Sequence, residues 1–433
     1  MKTQTRILNI FMNGILVGTL EKTLSGGLIF TYDHNWLNLA GARPISLSLP
    51  LINKPFIGDV VYNFFDNLLP DNPLIKSHIQ TRFHIATNQP FDLLAIIGKD
   101  CVGAIQILEN EKTELTNKIL FDPLTETEIA AILRNTKNCP LGMSTHNDFR
   151  ISIAGAQEKS AFLYWEGRWN RPLQTTPTTH IFKLPIGYIQ HQHMDLSDSC
   201  ENEWLCSQIT EAFELPVAKC EIQYFEDIKV LIVERFDRKL SKDKNWFFRL
   251  PQEDICQALG ISPNLKYQAD GGPGIENIMR LLQGSIESTK DRDMFFRAQI
   301  LFWLLAAIDG HAKNFSLHIA EKGKYRLTPL YDIMSAYPLM KTKQLQARKV
   351  KMAMALKGTR NHYHWYDMKR KYFLGTAKIS DYPTQRAEQA LDDMLGKVET
   401  VIAQVSAKLP NKFPSKIYEP IFEGMITAKN MLL

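Results

Sequence analysis

The sequence predicts an α+β architecture in which a strand-rich lobe precedes a helix-rich lobe, with a small α+β unit ahead of both. Three observations carry this: short apolar and alternating runs dominate residues 111–250, helical periodicity dominates 251–433, and residues 1–110 mix the two. At 433 residues the chain also exceeds what one hydrophobic core supports, so two or three packed units are expected.

The N-terminal unit opens with two apolar runs within residues 7–20 around Asn13-Gly14, a dipeptide suited to a type I′ hairpin because both central positions need positive φ. Ile45-Ser46-Leu47-Ser48-Leu49 alternates with period two until Pro50 and predicts a half-buried strand. Val61, Phe64, Phe65, Leu68 and Leu69 then recur at helical spacing, predicting a helix that ends at Pro70.

In the second segment strands are expected at 151–153, 160–165, 180–184, 229–236 and 246–250. One helix interrupts them. It starts near Asp198, with Asp198 and Glu201 predicted to cap its first turn and Trp204, Leu205, Ile209, Ala212 and Phe213 on its core face. Beyond Pro251 the pattern is mostly helical, and nucleotides often bind in a cleft between two such lobes. There is no internal repeat or low-complexity segment.

With 45% apolar and 22% charged residues, the composition is that of a globular protein and argues against long disordered tracts. A net charge of +5 over this length does not by itself indicate nucleic acid. The six cysteines, at 101, 139, 200, 206, 220 and 256, form no CxxC and no zinc-ligand spacing with histidine, so reduced core thiols are expected. Lys2 and Arg6 precede an apolar stretch broken by Asn9, Asn13 and Gly14, which lacks a signal-peptide core. The most apolar segment, 298–308, has eleven residues where a membrane span needs about twenty. A cytoplasmic protein with no membrane partner is the expectation.

The sharpest local signal is Ala307-Ile308-Asp309-Gly310-His311-Ala312-Lys313-Asn314, between an apolar helix and the strand-like 315–319. An Asp and an Asn five apart match the protein-kinase catalytic loop, where the Asp accepts the substrate hydroxyl's proton and the Asn holds a metal ion. The octapeptide alone fits equally a helix C-terminus with Gly310 left-handed and polar turn formers around it. Asp332, eighteen residues after Asn314, tips the balance. It lies in Leu330-Tyr331-Asp332-Ile333, where a carboxylate among apolar neighbours needs a partner, and Mg²⁺ is a natural one; the other role open to it is to cap a following helix.

Lys183, in His180-Ile181-Phe182-Lys183-Leu184, faces opposite Phe182 and Leu184 and is the candidate cation for nucleotide phosphates, with Glu201 or Glu203 as its acidic partner. An exposed strand lysine is the plainer alternative. The strand ending Val233-Glu234-Arg235-Phe236 is the candidate hinge meeting adenine. Upstream, Ala154-Gly155-Ala156 places small residues where a phosphate-covering loop needs close backbone approach, although a plain β-turn accounts for them as well.

Together, Ile151 to Lys159, Val233-Glu234-Arg235-Phe236-Asp237-Arg238, Leu250-Pro251-Gln252-Glu253-Asp254, Asp270-Gly271-Gly272-Pro273-Gly274 and Asp309 to Asn314 resemble the HipA toxin kinases in sequence, order and spacing. Arg43 to Pro50 and Asn63 to Asp71 look like that family's N-terminal subdomain, so the resemblance covers almost the whole chain. It implies a bilobal protein-kinase-like fold with an N-terminal subdomain over 1–110, an ATP-binding lobe over 111–250 and a catalytic lobe over 251–433. It further implies ATP and Mg²⁺ as cofactors, Asp309 as catalytic base, Asn314 and Asp332 as metal ligands, and Lys183 on the phosphates. Glu234 and Phe236 would bracket adenine, Gln252 and His311 would line the site, and Ala154, Gly155 and Ala156 would cover the phosphates. Ser152 matches the serine such kinases autophosphorylate, which displaces the phosphate loop and silences the enzyme. The implied partners are a HipB-like helix-turn-helix antitoxin, operator DNA through that complex, and glutamyl-tRNA synthetase as protein substrate.

Residues 341–378 depart from the family pattern by carrying eleven Lys or Arg against one acid, Asp367, with aromatic residues interleaved. They read as a solvated helical face or as a patch neutralising DNA phosphates. Two other functions remain compatible with the motifs: a kinase-fold phosphotransferase acting on a small molecule, and a catalytically silent DNA-binding corepressor. The presence of Lys183, Asp309, Asn314 and Asp332 speaks for activity.

Overall fold

A computed structural model of the chain describes residues 6–109, 118–136, 143, 151–153 and 157–432. The chain forms two compact units. The first comprises Met1–Leu184, Gln223–Pro263 and Leu317–Lys324, and the second Pro185–Ile222, Asn264–Ser316 and Tyr325–Leu433.

The first unit begins with an antiparallel sheet of β1 (Arg6–Met12), β2 (Ile15–Lys22), β3 (Leu28–Tyr32), β4 (Phe56–Ile57) and β5 (Ile105–Leu108), in the order β4-β3-β2-β1-β5. Asn13 and Gly14 both take positive φ, 48° and 86°, as the hairpin requires. Helices α1 (Asp59–Asp66) and α2 (Pro90–Ile97) contribute Phe64, Phe65, Leu93, Leu94 and Ile97 to a core shared with Leu8, Ile10, Val17, Leu20 and Phe30. Each of these large side chains, fully buried, stabilises by about 1.5–3 kcal/mol.

Residues 45–49 are not the expected strand but a tight turn closed by Leu49 N–H on the Ser46 carbonyl (3.1 Å). The cause lies in the serines. Ser46 and Ser48 donate their hydroxyls to the Gln257 carbonyl (3.2 and 2.7 Å), and Leu47 N–H donates to the Glu253 carboxylate (2.9 Å), so the polar positions anchor the turn instead of facing solvent.

A second sheet holds β6 (Phe121–Pro123), β7 (Lys159–Trp165), β8 (Arg168–Pro172), β9 (His180–Lys183), β10 (Cys220–Phe225) and β11 (Ile228–Glu234), in the order β10-β11-β9-β7-β8-β6. Helix α3 (Glu126–Arg134), opened by a capping box between Thr125 and Glu128, packs Ile129 and Leu133 against Phe162, Phe182, Val230 and Ile232. Beyond β11, the hairpin of β12 (Arg238–Leu240) and β13 (Phe247–Arg249) supplies the strand expected near 246–250. Residues 151–153 form no strand. Ile151 and Ile153 sink into the first core, and the Ser152 N–H bonds the Asp100 carbonyl (2.9 Å).

The second unit is built on α4 (Ser199–Ala212), α5 (Ser288–Leu304), α6 (Thr384–Ser406) and α7 (Ser415–Leu432). Helix α5 is buried along its last three turns through Phe295, Phe296, Ile300, Leu301, Trp303 and Leu304, as a central helix must be. Trp303 and Trp365 lock this core reciprocally, each indole N–H donating to the other's carbonyl (3.0 and 2.8 Å). Asp198 does not cap α4; its carboxylate pairs with Lys416 instead. The basic stretch 341–378 is no single helical face, because it holds a hairpin of Lys351–Lys357 with Asn361–His364 before the helix Arg370–Ile379. Among the described residues no helix is long and apolar enough to cross a membrane.

Candidate active site

In the second unit, α5 ends at Leu304 and the chain turns through Ala306, whose φ is +47°, into the loop carrying Asp309. The Asp309 carbonyl accepts from His311 N–H (2.8 Å) and from the Asn314 side-chain amide (2.7 Å), closing the loop on itself. Gly310 is required there, since a Cβ would stand 2.3 Å from the Phe302 ring. The result points the Asp309 side chain outward, 53% exposed, while Asn314 and His311 are buried. With its NH₂ turned onto that carbonyl, Asn314 has Oδ1 as the atom that could hold a metal ion. The hydroxyl of Tyr267 donates to the Asp309 carboxylate, and its ring stands edge-on to His311 at 4.9 Å. The His311 Nε2 lies 3.9 Å from Asp309 Oδ1.

Asp332, half-buried, occupies the left-handed backbone region (φ +59°). Its neighbour Tyr331 donates to the carbonyl of Lys313 (2.9 Å), the residue before Asn314, so the two expected metal ligands stand on segments tied together. Among the described residues no group of three or more His, Cys, Asp or Glu could hold a metal alone. A donor set of one carboxylate and one amide oxygen instead suits Mg²⁺, which is typically bound through one or two protein oxygens together with phosphates and water.

In the first unit, Lys183 and Glu234 stand on the adjacent strands β9 and β11, and Phe182 turns into the core opposite Lys183 as the alternation predicts. Glu234 is exposed at the end of β11, across from His180, whose imidazole burial holds down to about 4 and thus neutral near pH 7. Phe236 is half-buried and edge-on to His318 (5.8 Å), and Gln252 is half-buried. Ala154, Gly155 and Ala156 lie outside the described residues.

Between Glu234 and Phe236, Arg235 turns inward into a buried ionic cluster. Asp100 accepts from Arg238 (2.8 Å), Arg249 (3.1 Å), Arg235 (3.4 Å) and both N–H and hydroxyl of Thr178 (3.0 and 2.8 Å). Asp237 accepts from Arg235 (2.8 Å) and Gly103 N–H (2.7 Å). Burial alone would raise the Asp100 carboxyl, but the three guanidiniums hold it well below the usual carboxylate range. The backbone of the same Asp100 holds Ser152, whose hydroxyl, fully buried at 0% exposure, donates to the Leu68 carbonyl (2.7 Å).

Sequence reading missed three participants. Lys159 is the direct cross-strand partner of Lys183, and both are buried, so two cations share one face. Strand alternation around Lys159 was the available signal. Tyr267 and Asp100 offered none, because their partners are remote in the chain.

Residues 151–402 match the family model described as HipA-like C-terminal domain, and residues 8–108 match the HipA N-terminal domain. The chain belongs to the HipA family. Y4mE of Sinorhizobium fredii, which carries a kinase designation, is 32% identical over 340 residues, spanning 77% of this chain and 78% of its own. The serine/threonine-protein kinase toxin HipA of Shewanella oneidensis is 25% identical over 345 residues, with 77% and 76% covered. HipA in the Shewanella oneidensis complex of HipA, HipB and operator DNA shares the fold, with a TM-score of 0.81 at 20% identity over 98% of this chain and 97% of that one. The α+β, kinase-like architecture expected from sequence is therefore present, and this HipA-family chain is a serine/threonine protein kinase.

Proposed function

We propose that the chain is the toxin of a HipBA-like pair, a cytoplasmic kinase that uses Mg-ATP to phosphorylate serine on a translation protein and on itself. The observation that carries this is the Asp309 loop, which turns a carboxylate outward while consuming the amide NH₂ of Asn314 and leaving its oxygen. Asp309 accepts the proton of the acceptor hydroxyl. Bound Mg²⁺, held by Asn314 and Asp332, would neutralise charge on the β- and γ-phosphates. Lys183 meets nucleotide phosphates with Lys159 beside it, Glu234 and Phe236 bracket adenine, and Gln252 and His311 line the site.

Ser152 is the self-modification site in this proposal. A phosphate of charge about −2 has no place in the buried position of its hydroxyl, so modification requires residues 151–153 to leave it and keeps them out afterwards. A HipB-like antitoxin and its operator DNA are the proposed partners, with the basic stretch 341–378 available to DNA phosphates.

The proposed protein substrate is glutamyl-tRNA synthetase, where phosphoserine in the ATP-handling loop would repel ATP and stop aminoacylation. The test incubates purified kinase, Mg-ATP and host synthetase, with and without tRNA, and maps phosphate by mass spectrometry. Phosphate on the synthetase and on Ser152 is expected. Labelling of another lysate protein alone removes this substrate, and no transfer to any protein removes the proposal.

A further inference from the structure

We propose that Asn202 is a positioning residue for the Asp332 carboxylate, acting through the backbone of Ser335. The inference rests on Asp332 as a metal ligand and goes beyond it by assigning what holds that ligand in place.

An aspartate tolerates φ +59° better than most side chains but still at a cost, which the surrounding structure must offset to hold it there. On the upstream side Leu330 is fixed by a parallel bridge: its N–H donates to the Pro216 carbonyl and its carbonyl accepts from Ala218 N–H, both at 2.8 Å. Downstream, the carboxamide of Asn202 takes both backbone groups of Ser335. Its Nδ2 donates to the Ser335 carbonyl and its Oδ1 accepts the Ser335 N–H, again at 2.8 Å each. The next residue, Ala336, donates to the carbonyl of Ala306 at the start of the catalytic loop (3.0 Å). Asp332 is thus suspended between two clamps, and one of them is a single side chain.

Only a primary carboxamide can do this. It presents donor and acceptor side by side as a peptide unit does, whereas aspartate only accepts and leucine does neither. Asn202 sits 5% exposed in the first half of α4, where an apolar residue would suit both helix propensity and burial. Mg²⁺ tolerates little departure from octahedral geometry, so a small shift of the segment carrying Asp332 is felt as lost metal affinity.

The test measures Mn²⁺ binding, as a paramagnetic stand-in for Mg²⁺, by EPR on the full chain saturated with a non-hydrolysable ATP analogue. Asn202→Ala should raise the Mn²⁺ dissociation constant about tenfold, the scale on which residues supporting metal ligands act. Asp332→Asn should raise it at least as much. Ile209→Val, which loosens the same helix at a fully buried position, should leave it unchanged. If Asp332→Asn weakens Mn²⁺ binding while folded Asn202→Ala does not, or if Ile209→Val weakens it equally, this inference is overturned and the metal ligand stands. If Asp332→Asn binds Mn²⁺ as the wild type does, the ligand assignment falls and the inference with it. Should Asn202→Ala not fold, Asn202→Asp decides the matter by the same measurement, because it keeps the acceptor for Ser335 N–H; an intermediate loss supports the inference and none overturns it.

Discussion

The Tyr267 hydroxyl donates a hydrogen bond to the Asp309 carboxylate, and the Tyr267 ring braces His311 edge-on. An outward, half-exposed carboxylate is otherwise free to sample rotamers, so this contact selects one of them for Asp309, the proposed base. Hydrogen bonds to charged groups are worth about 1.5–3 kcal/mol net. Tyr267→Phe should therefore lower kcat about tenfold with KM for ATP unchanged, read by steady-state kinetics. A rise in kcat would mean that the tyrosine blocks the base instead.

Removing the proposed base or the proposed metal ligand is the direct test of the Asp309 loop. Asp309→Asn should lower phosphotransfer by about 10²–10⁴-fold, the range attributed to positioned general bases. Asp332→Ala should do the same and alter the Mg²⁺ dependence, while circular dichroism of both variants matches the wild type. Wild-type transfer by either would show that the chemistry lies elsewhere.

The buried ionic cluster predicts a stability effect. Asp100→Ala leaves Asp237 to pair with Arg235 and Arg238 and removes the carboxylate that Arg249 bonds, and breaking a buried pair from one side costs about 3–5 kcal/mol. A lowered thermal midpoint and a raised KM for ATP are expected together, because Arg235 lies between Glu234 and Phe236. A variant as stable as the wild type would show that the cluster contributes nothing net.

Burial pushes the Glu253 carboxyl up to about 8, although Leu47 N–H and Ser46 pull the other way. A group that holds its proton in the fold but not in the unfolded chain contributes stability that is complete below its ordinary value near ~4.3 and drains away as pH rises through about 8. Glu253→Gln keeps an acceptor for Leu47 without the charge. Its thermal midpoint should pull ahead of the wild type between pH 5 and 8 and hold a constant lead above, worth roughly 3–5 kcal/mol at most. Parallel pH profiles would show that Glu253 ionises normally.

Much of the fold and part of the site could be read from the chain because the relevant residues are neighbours in it. Asp309, His311 and Asn314 fall within six positions, and Lys183 is exposed to view by the alternation around Phe182. What could not be read depends on register and return of the chain. Lys159 meets Lys183 only once β7 and β9 pair, and Tyr267 meets Asp309 from 42 residues away. Polarity misled at Ser46 and Ser48, where hydroxyls that a period-two pattern assigns to solvent are bound to the Gln257 carbonyl. Asp198 likewise had the sequence of a cap, but Lys416 competes for it.

On the proposal that the kinase modifies itself at Ser152, the concealment of that serine sets a clock. A hydroxyl with no exposure, committed to the Leu68 carbonyl, cannot be attacked until its segment opens, so the interval before the kinase disarms itself would follow the frequency of that opening and not the supply of ATP. Each tie that holds the segment would then lengthen the kinase's working life: the Leu68 carbonyl on the hydroxyl, the Asp100 carbonyl on the N–H, and the burial of Ile151 and Ile153. Loosening any of them would shorten the pulse of growth arrest while leaving its initial intensity unchanged.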